Sequence, residues 1–339
     1  MIYIDFKNVD IMGVADTGGT GGGTGSTGGL DWSEIGYGER PKSLADGFNY
    51  AKQIYNSWNN NTTSINYVDD IKLVYFPLVD TSNVTNMASA FYNCKSLQTI
   101  PLIDTSSVTT ISNAFYGCVA LQTIPAIDTS NVTDMLMLFG NCESLQMIPS
   151  INTSNVTNMA NTFYNCKSLQ TIPLIDTSSV TSMRETFCGC TALQTIPAID
   201  TSNVTDMFML FGDCKSLQTI PSINTSNVTT VDYMFVGCTA LESLPLLNFS
   251  NVETTSEFLS YSWDNSMMIS NLEGFVDLHV NLDVSNCSQL TAESILNVIN
   301  QAADLSETGS ATLTLGTTNI SKLTEEQIAI ATAKGWTLA

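Results

Sequence analysis

The chain is almost without histidine: one residue, His279, in 339. It is poor in basic residues, with 11 lysines and arginines against 32 aspartates and glutamates, a formal net charge of −21. It has no uninterrupted apolar run of the ~18 residues that a membrane-spanning helix needs. Its opening residues, MIYIDFKNVDIMGVAD, lack the basic start and small-residue cleavage site of a secretory leader. Each absence excludes something. A lone histidine in LHVNLDV, read as a strand, has no serine or cysteine constellation beside it, so it is read as structural and no catalytic residue is assigned. An acidic surface disfavours nucleic acid and anionic membrane as partners, and no membrane insertion is expected. Without a leader, the chain is expected to be made and assembled in the cytoplasm, unless a signal has been trimmed from it.

What is present is a beat. Cys94, Cys118, Cys142, Cys166, Cys190, Cys214 and Cys238 stand 24 residues apart. Phe91, Phe115, Phe139, Phe163, Phe187, Phe211 and Phe235 keep the same interval, and prolines from Pro77 to Pro245 form a third column. A strict period in this range marks a solenoid, because one unit cannot bury its own apolar face and must stack on copies of itself. Stacked rungs lie ~4.8 Å apart. At that spacing the cysteines could form disulfides or thiolate metal sites. Their odd number, parallel direction and lack of a partner histidine column favour a third reading, reduced thiols filling a tight turn as small buried hydrophobes.

One unit runs from Leu97 to Ala120. Leu97 and Ile100 make a short extended run that stops at Pro101, whose missing N–H marks a strand end. Ile103 points inward. Asp104 to Ser107 form a turn and helix-start cluster. Val108, Ile111, Phe115 and Cys118 follow at spacings of 3, 4 and 3, the inward stripe of about two helical turns. Gly117 closes the turn, a place taken by Asn93 and Asn165 in other units. Stacking predicts a sheet on one side and short helices or helical turns on the other. A longer period of 72 residues overlies the short one: PLIDTSSVT at 101 returns at 173, and PAIDTSNVTDM at 125 returns at 197.

The pattern L-x-x-I-P-x-I-D-T-S-N-V-T-x-M-x-x-x-F-x-x-C over residues 73–259 resembles leucine-rich repeats of the bacterial surface protein A type (BspA-like). It is most similar to their DTSNVTNM-containing subgroup of gut bacteria and their phages. The C-terminal stretch from LTAESILNVINQAADL to GWTLA resembles the cap that closes such arrays in phage and prophage proteins. The resemblance implies a right-handed solenoid used for adhesion or recognition, and names no catalytic residues, cofactor or metal.

The fold class read here is an α/β repeat solenoid, a leucine-rich-repeat rod of 24-residue units with N- and C-terminal α/β caps and a short β-like N-terminal arm. Residues 1–16 form the docking or oligomerisation arm, with Ile2, Ile4 and Phe6 alternating on one face. Residues 17–29 are a Gly/Thr-rich tether. Residues 30–72 form an N-terminal cap with a helix over 43–58. Eight units fill 73–262, and residues 263–339 form the C-terminal cap. There, a helix is expected near 291–304, a strand over 311–315, and a capping box at Thr324 and Gln327 for a helix ending at Gly335. Trp336 opens a last strand, and Leu323, Ile328 and Ile330 bind the cap to the rod.

Three surface features bear on function. The Asp column (Asp80, Asp104, Asp128, Asp176 and Asp200, broken by Asn152, Asn224 and Asn248) reads as turn capping, with a calcium ladder as the alternative. Sequons such as Asn83-Val-Thr85 read as turn caps rather than glycan sites. The face expected to be helical varies between rungs, and Leu136, Met137, Leu138, Phe208, Met209, Leu210 and Tyr233 form a candidate contact surface. Extra core packing is the other reading of that variation. Gln98, Gln122, Gln170, Gln194 and Gln218 make a polar sheet face suited to repetitive glycan or protein binding, or to plain solvation. The expectation is a non-enzymatic virion attachment or decoration protein of head- or tail-fibre type. It would be a homo-oligomer assembled in the host cytoplasm. Its arm would dock on other virion or surface proteins, and its rod would meet a host surface protein or glycan. The alternative is a bacterial cell-surface adhesin.

Overall fold

The computed structural model describes residues 61–259 and 267–339, with residues 50, 54, 58 and 59. The arm residues Ile2, Ile4 and Phe6, the tether and most of the helix expected over 43–58 lie outside the described residues; Tyr50 and Ile54 within it are helical.

From residue 64 the chain winds as a solenoid in 24-residue register. Parallel bridges join Asp134 to Asn158, Asn158 to Ser182, Ser182 to Asp206, Asp206 to Thr230 and Thr230 to Thr254. The apolar beat lines one continuous core. In the second full rung Leu97, Ile100, Ile103, Val108, Ile111, Phe115 and Cys118 are all buried. The phenylalanines from Phe91 to Phe235 stack nearly parallel, with ring centroids 5.3–5.8 Å apart. Tyr67 continues the stack beyond Phe91 at 6.0 Å and 8°, with Phe76 edge-on beside Phe91, and Phe258 closes the other end edge-on at 81°. An edge-on ring ends a stack that would otherwise show an uncovered face.

The described residues of 61–259 contain no helix, which corrects the expectation of helical turns. The Ile111–Cys118 stretch is a run of tight turns. Ala114, Tyr116 and Cys118 donate their amides to Ile111, Asn113 and Phe115 carbonyls at 3.0, 3.1 and 3.1 Å. The intervening amides of Asn113, Phe115 and Gly117 reach the next rung, bonding Leu136, Leu138 and Gly140 carbonyls at 2.9, 3.0 and 2.8 Å. An α-helix directs every amide back four residues along its own chain and leaves none for a neighbour. Left-handed residues every fourth position permit the alternation: Asn113 at φ 60° and Gly117 at φ 73°. Glycine at 117 and 189 answers a second demand. A Cβ there would lie 2.1 Å from Oδ1 of Asn93 or Asn165 in the rung before.

The opposite side is thinner than a full sheet. Single backbone bonds link Gln122 to Gln98, Gln146 to Gln122 and Gln218 to Gln194 at 3.1–3.2 Å. A proline in each rung removes the next donor and cuts the ladder short. Among the described rungs, paired two-residue strands appear at the last ones. β1 (Ser243–Leu244) pairs with β3 (Asn271–Leu272), and β2 (Leu247–Asn248) with β4 (Phe275–Val276). The C-terminal segment then holds β5 (Leu282–Asp283), α1 (Ala292–Gln301), β6 (Ala311–Thr314), α2 (Gly316–Ile320), α3 (Glu325–Ala333) and β7 (Trp336–Leu338). The sheet order is β5-β6-β7, all parallel. Thr291 caps α1, and Thr324 with Gln327 forms the reciprocal capping box of α3. His279 lies between β4 and β5, not in a strand. Of the three residues expected to fix α3, Leu323 packs on the core but Ile330 is exposed. Ala331 and Trp336 are the buried residues there, because a nine-residue helix laid on the sheet turns only one narrow stripe inward.

Candidate binding surface

Columns of side chains bond rung to rung, and they decide what the exterior can offer. Thr81, Thr105, Thr129, Thr177, Thr201 and Thr225 are buried. Thr201 Oγ1 donates to the Asn224 carbonyl at 2.8 Å and accepts the Asn224 amide at 2.8 Å. Thr225 treats Asn248 in the same way, at 2.8 and 2.7 Å. The sequence places these threonines in a surface turn cluster; only burial shows them to be clamps between rungs.

The cysteines likewise do more than fill space. Cys142 Sγ donates to the Phe115 carbonyl at 3.0 Å, and Cys166, Cys190, Cys214 and Cys238 repeat the bond at 3.0–3.2 Å. All nine cysteines are free and buried. Burial raises their thiol pKa values, Cys188 and Cys287 to about 12 and Cys118, Cys142, Cys166 and Cys214 well above the ordinary value. Protonated thiols make poor metal ligands and nucleophiles.

Outside lie polar columns. Asp104 Oδ1 accepts the Ser106 amide at 2.9 Å and the Ser106 hydroxyl at 2.6 Å. Asp176 does the same with Ser178 at 3.0 and 2.7 Å. Asn152 keeps the geometry without the charge, taking Ser154 at 3.1 and 2.8 Å. The serine hydroxyl and amide hold the Asp80, Asp104, Asp176 and Asp200 carboxyls below their usual range. Among the described residues no group of three or more His, Cys, Asp or Glu is placed to hold a metal ion. The sequon asparagines also serve the stack. Asn131, Asn155, Asn203 and Asn227 donate Nδ2 to the serine carbonyl of the preceding rung at 2.6–2.9 Å. Exposed threonines add another column: Thr157, Thr181, Thr205 and Thr229 each donate an amide to the threonine carbonyl one rung back at 2.8–3.0 Å.

The candidate contact residues fall into two groups. Leu138 and Leu210 are fully buried, so they belong to the core and not to an exposed surface. They stand in the column of Ala114, Thr162, Thr186 and Met234, all buried. This core column tolerates variation because threonine hydroxyls find carbonyls inside it: Thr186 Oγ1 bonds Met159 O at 3.0 Å. Leu136, Met137, Phe208, Met209 and Tyr233 are half-buried on the outside. The Arg184 guanidinium lies 3.8 Å from the Phe208 ring centre, and Phe208 packs on Tyr233 at 5.5 Å. Met209 folds over Gly212, where a Cβ would lie 2.6 Å from Met209 Cγ. Gln122, Gln170, Gln194 and Gln218 are exposed, and Gln98 is half-buried, its Oε1 accepting the Tyr75 hydroxyl at 3.1 Å.

An open cleft of about 540 Å³ lies between the last rung and the C-terminal segment, lined by Glu253, Thr255, Glu257, His279, Asn281 and Asp283 among others. His279 is exposed, and its Nδ1 lies 2.9 Å from the Asp277 carbonyl. No serine, threonine or cysteine hydrogen-bonds its ring among the described residues, so no nucleophile is paired with it. No helix of the described residues is long and apolar enough to cross a membrane.

The family described as "Mycoplasma protein of unknown function, DUF285" matches residues 59–174 and again 157–272. No curated protein matches the sequence. Among solved structures, a leucine rich repeat protein of T. pallidum is 20% identical, with a TM-score of 0.33, over 48% of this chain and 86% of its own. A leucine-rich repeat protein from Bacteroides ovatus is 15% identical, with a TM-score of 0.32, over 78% and 91%. A leucine rich cell surface protein from Faecalibacterium prausnitzii is 17% identical, with a TM-score of 0.33, over 82% and 83%.

Proposed function

Because the chain belongs to the DUF285 family and carries BspA-like leucine-rich repeats, we propose that it works without catalysis, as an attachment protein whose rod is the binding element. The observation that carries this reading is the regularity of its exterior. Gln122, Gln170, Gln194 and Gln218 stand exposed in one column, and Thr157, Thr181, Thr205 and Thr229 in another. Such columns offer the same polar group every ~4.8 Å. That repetition suits many weak, identical contacts with a host surface protein or glycan, whose strength sums by avidity. The rod stands on a phage particle, held by residues 1–16 through the Gly/Thr-rich tether to other virion proteins and to copies of itself. A bacterial surface adhesin is the second reading, favoured by the repeat's resemblance to bacterial surface protein A.

The test is quantitative mass spectrometry of density-purified particles beside the host envelope. Stoichiometric peptides in the particles are expected. Peptides confined to the envelope would overturn the virion reading in favour of the adhesin. Removal of residues 1–29 is expected to leave the rod folded and abolish incorporation, and a truncated chain that still incorporates would remove the arm from the account.

A further inference from the structure

The Gln-bearing side of the rod is not uniformly polar. Leu102 is 51% exposed and Leu174 71% exposed, and Leu246, in the same column, is exposed too. These three are 72 residues apart, so from Leu102 onward the longer sequence period sets a leucine on every third rung, and Leu78, 38% exposed, extends the column by one adjacent rung. Ala126 and Ser150, then Ala198 and Ser222, fill the rungs between. Met147, 63% exposed, lies on the same side. Each leucine follows a proline in an extended stretch and stands two residues before the Asp/Asn column. Ile103 and Ile175 between them are buried, so Leu102 and Asp104 face outward together, as do Leu174 and Asp176.

The result is a stripe of leucine beside carboxylate. Asp104, Asp128, Asp176 and Asp200 are exposed, and none is held in a salt bridge among the described residues. The described ion pairs lie elsewhere, Lys167 with Glu143 and Arg184 with Glu185 and Asp206. A chain with 32 acidic and 11 basic residues has little cation of its own to lay along this ladder. A second copy would bring the same negative column and be repelled.

We propose that this leucine–aspartate stripe binds an extended cationic peptide segment that carries an apolar residue at every fourth position. The inference rests on reading the rod as a binding surface and names the partner for one side of it. The spacing sets the register. Three rungs at ~4.8 Å span ~14 Å, and four residues of extended chain at ~3.4 Å span the same length. Apolar side chains of the peptide sit on Leu102 and Leu174, while its lysines or arginines meet Asp104, Asp128 and Asp176 between and beside them. The apolar contacts fix register and the charges steer association.

The probe is a short lysine–serine peptide with leucine at every fourth position, titrated into the full chain by fluorescence anisotropy at low and high salt. Binding is expected, and weakens with salt. Replacing the peptide's leucines by serine is expected to weaken it about tenfold or more. Leu102→Ser with Leu174→Ser has a similar effect and keeps the fold, because serine stands at 150 and 222 naturally. Asp104→Asn with Asp176→Asn costs a few-fold and lowers the salt dependence; asparagine already occupies 152, 224 and 248. Equal binding of the leucine-free peptide, or unchanged binding by both double variants, would overturn the proposal. So would self-association that Leu174→Ser abolishes, which would give the stripe to a second copy. A failed titration with the chain present on particles removes this inference alone. A chain absent from particles and envelope removes the functional reading while leaving the titration standing.

Discussion

Between residues 61 and 259 much of the described hydrogen bonding runs from one rung to the next; beyond residue 267 more of it runs inside helices and between the strands of β5-β6-β7. The array bonds rungs through particular side chains at fixed positions: the Thr201 hydroxyl, the Cys166 thiol, the Asn155 amide. The C-terminal segment also bonds through side chains, Lys322 on the Ser288 and Leu290 carbonyls and Trp336 on Ala303, but each such bond is made once and is not repeated at a fixed interval. Its capping residues Thr291 and Thr324 act within one helix turn. The contrast accounts for where the sequence repeats and where it does not. A side chain that bonds its neighbouring rung must recur every 24 residues, whereas a helix needs only an apolar stripe.

Raising the pH breaks the comparison most forcefully. Eight of the nine buried thiols lie in the array and one, Cys287, in the C-terminal segment. Burial holds their folded pKa values above the unfolded value, so their stabilising effect is complete below about pH 8.5 and falls as pH rises toward the folded values. The loss grows as more thiols ionise, so the array, which holds eight of the nine, is expected to lose stability faster than the C-terminal segment. Alkylation followed by peptide mass spectrometry from pH 7.5 to 10 is expected to label Cys142, Cys166 and Cys214 well before Cys287. Simultaneous labelling would mean that the two regions unfold as one.

Phe163→Ala comes next. The ring sits in the middle of the stack, fully buried, 5.8 Å from Phe139 and 5.7 Å from Phe187. The loss is about 3–5 kcal/mol. In a nearest-neighbour stack, the weakened interface is expected to split one denaturation transition into two. Ile295→Ala in α1 removes a comparable apolar contact but leaves the array transition where it was. A change below about 1 kcal/mol for Phe163→Ala would be incompatible with a core column at this register.

The comparison also explains what could be read in advance. The 24-residue beat gave the solenoid and its inward residues, because burial follows periodicity directly. It did not distinguish a helix from a run of turns, since spacings of 3, 4 and 3 bring Val108, Ile111, Phe115 and Cys118 inward in either case. The second left-handed position of each rung carries a partial signal, asparagine, aspartate or glycine as at Asn93, Gly117 and Asp213, but the first carries none in most rungs, being Met137, Glu185, Met209 or Tyr233. Leu138 and Leu210 were misplaced for a related reason. Variation along a column suggests solvent, but in this column threonine can replace leucine by bonding a carbonyl inside the core. In the C-terminal segment, where caps and periodicity are local, α3 and β7 were legible almost to the residue, and α1 apart from its last turn, which ends at Gln301 rather than near 304.

Thr201→Val tests whether the threonine column is a clamp. Valine keeps the shape but strands the Asn224 amide and carbonyl, which both bond Oγ1 at 2.8 Å. The cost is about 1–3 kcal/mol. Thr324→Ala removes one cap in the C-terminal segment for about 1 kcal/mol. Denaturant midpoints for the two variants give the order. A smaller loss for Thr201→Val than for Thr324→Ala would make its hydroxyl incidental.

The smallest effect concerns the one device the two regions share. Asp176 and Asp304 each take a following serine by amide and hydroxyl, Asp176 at 3.0 and 2.7 Å and Asp304 at 3.0 and 2.6 Å. Both carboxyls are held below their usual range, first by the serine hydroxyl and then by its amide. A depressed folded pKa means that the ionised form is favoured in the native state. The contribution is therefore present above the unfolded carboxylate value near 4 and is lost as pH falls through the folded value. Asp176→Asn is expected to fold normally at pH 7, as Asn152 does in the same column, and to flatten the acid limb of the stability curve slightly. Asp304→Asn flattens it by a similar amount, because the turn is local in both regions and uses no bond to a neighbouring rung. A much larger effect at Asp176 would mean that the charged column contributes beyond its own turns, through the ladder of carboxylates that faces the proposed cationic partner.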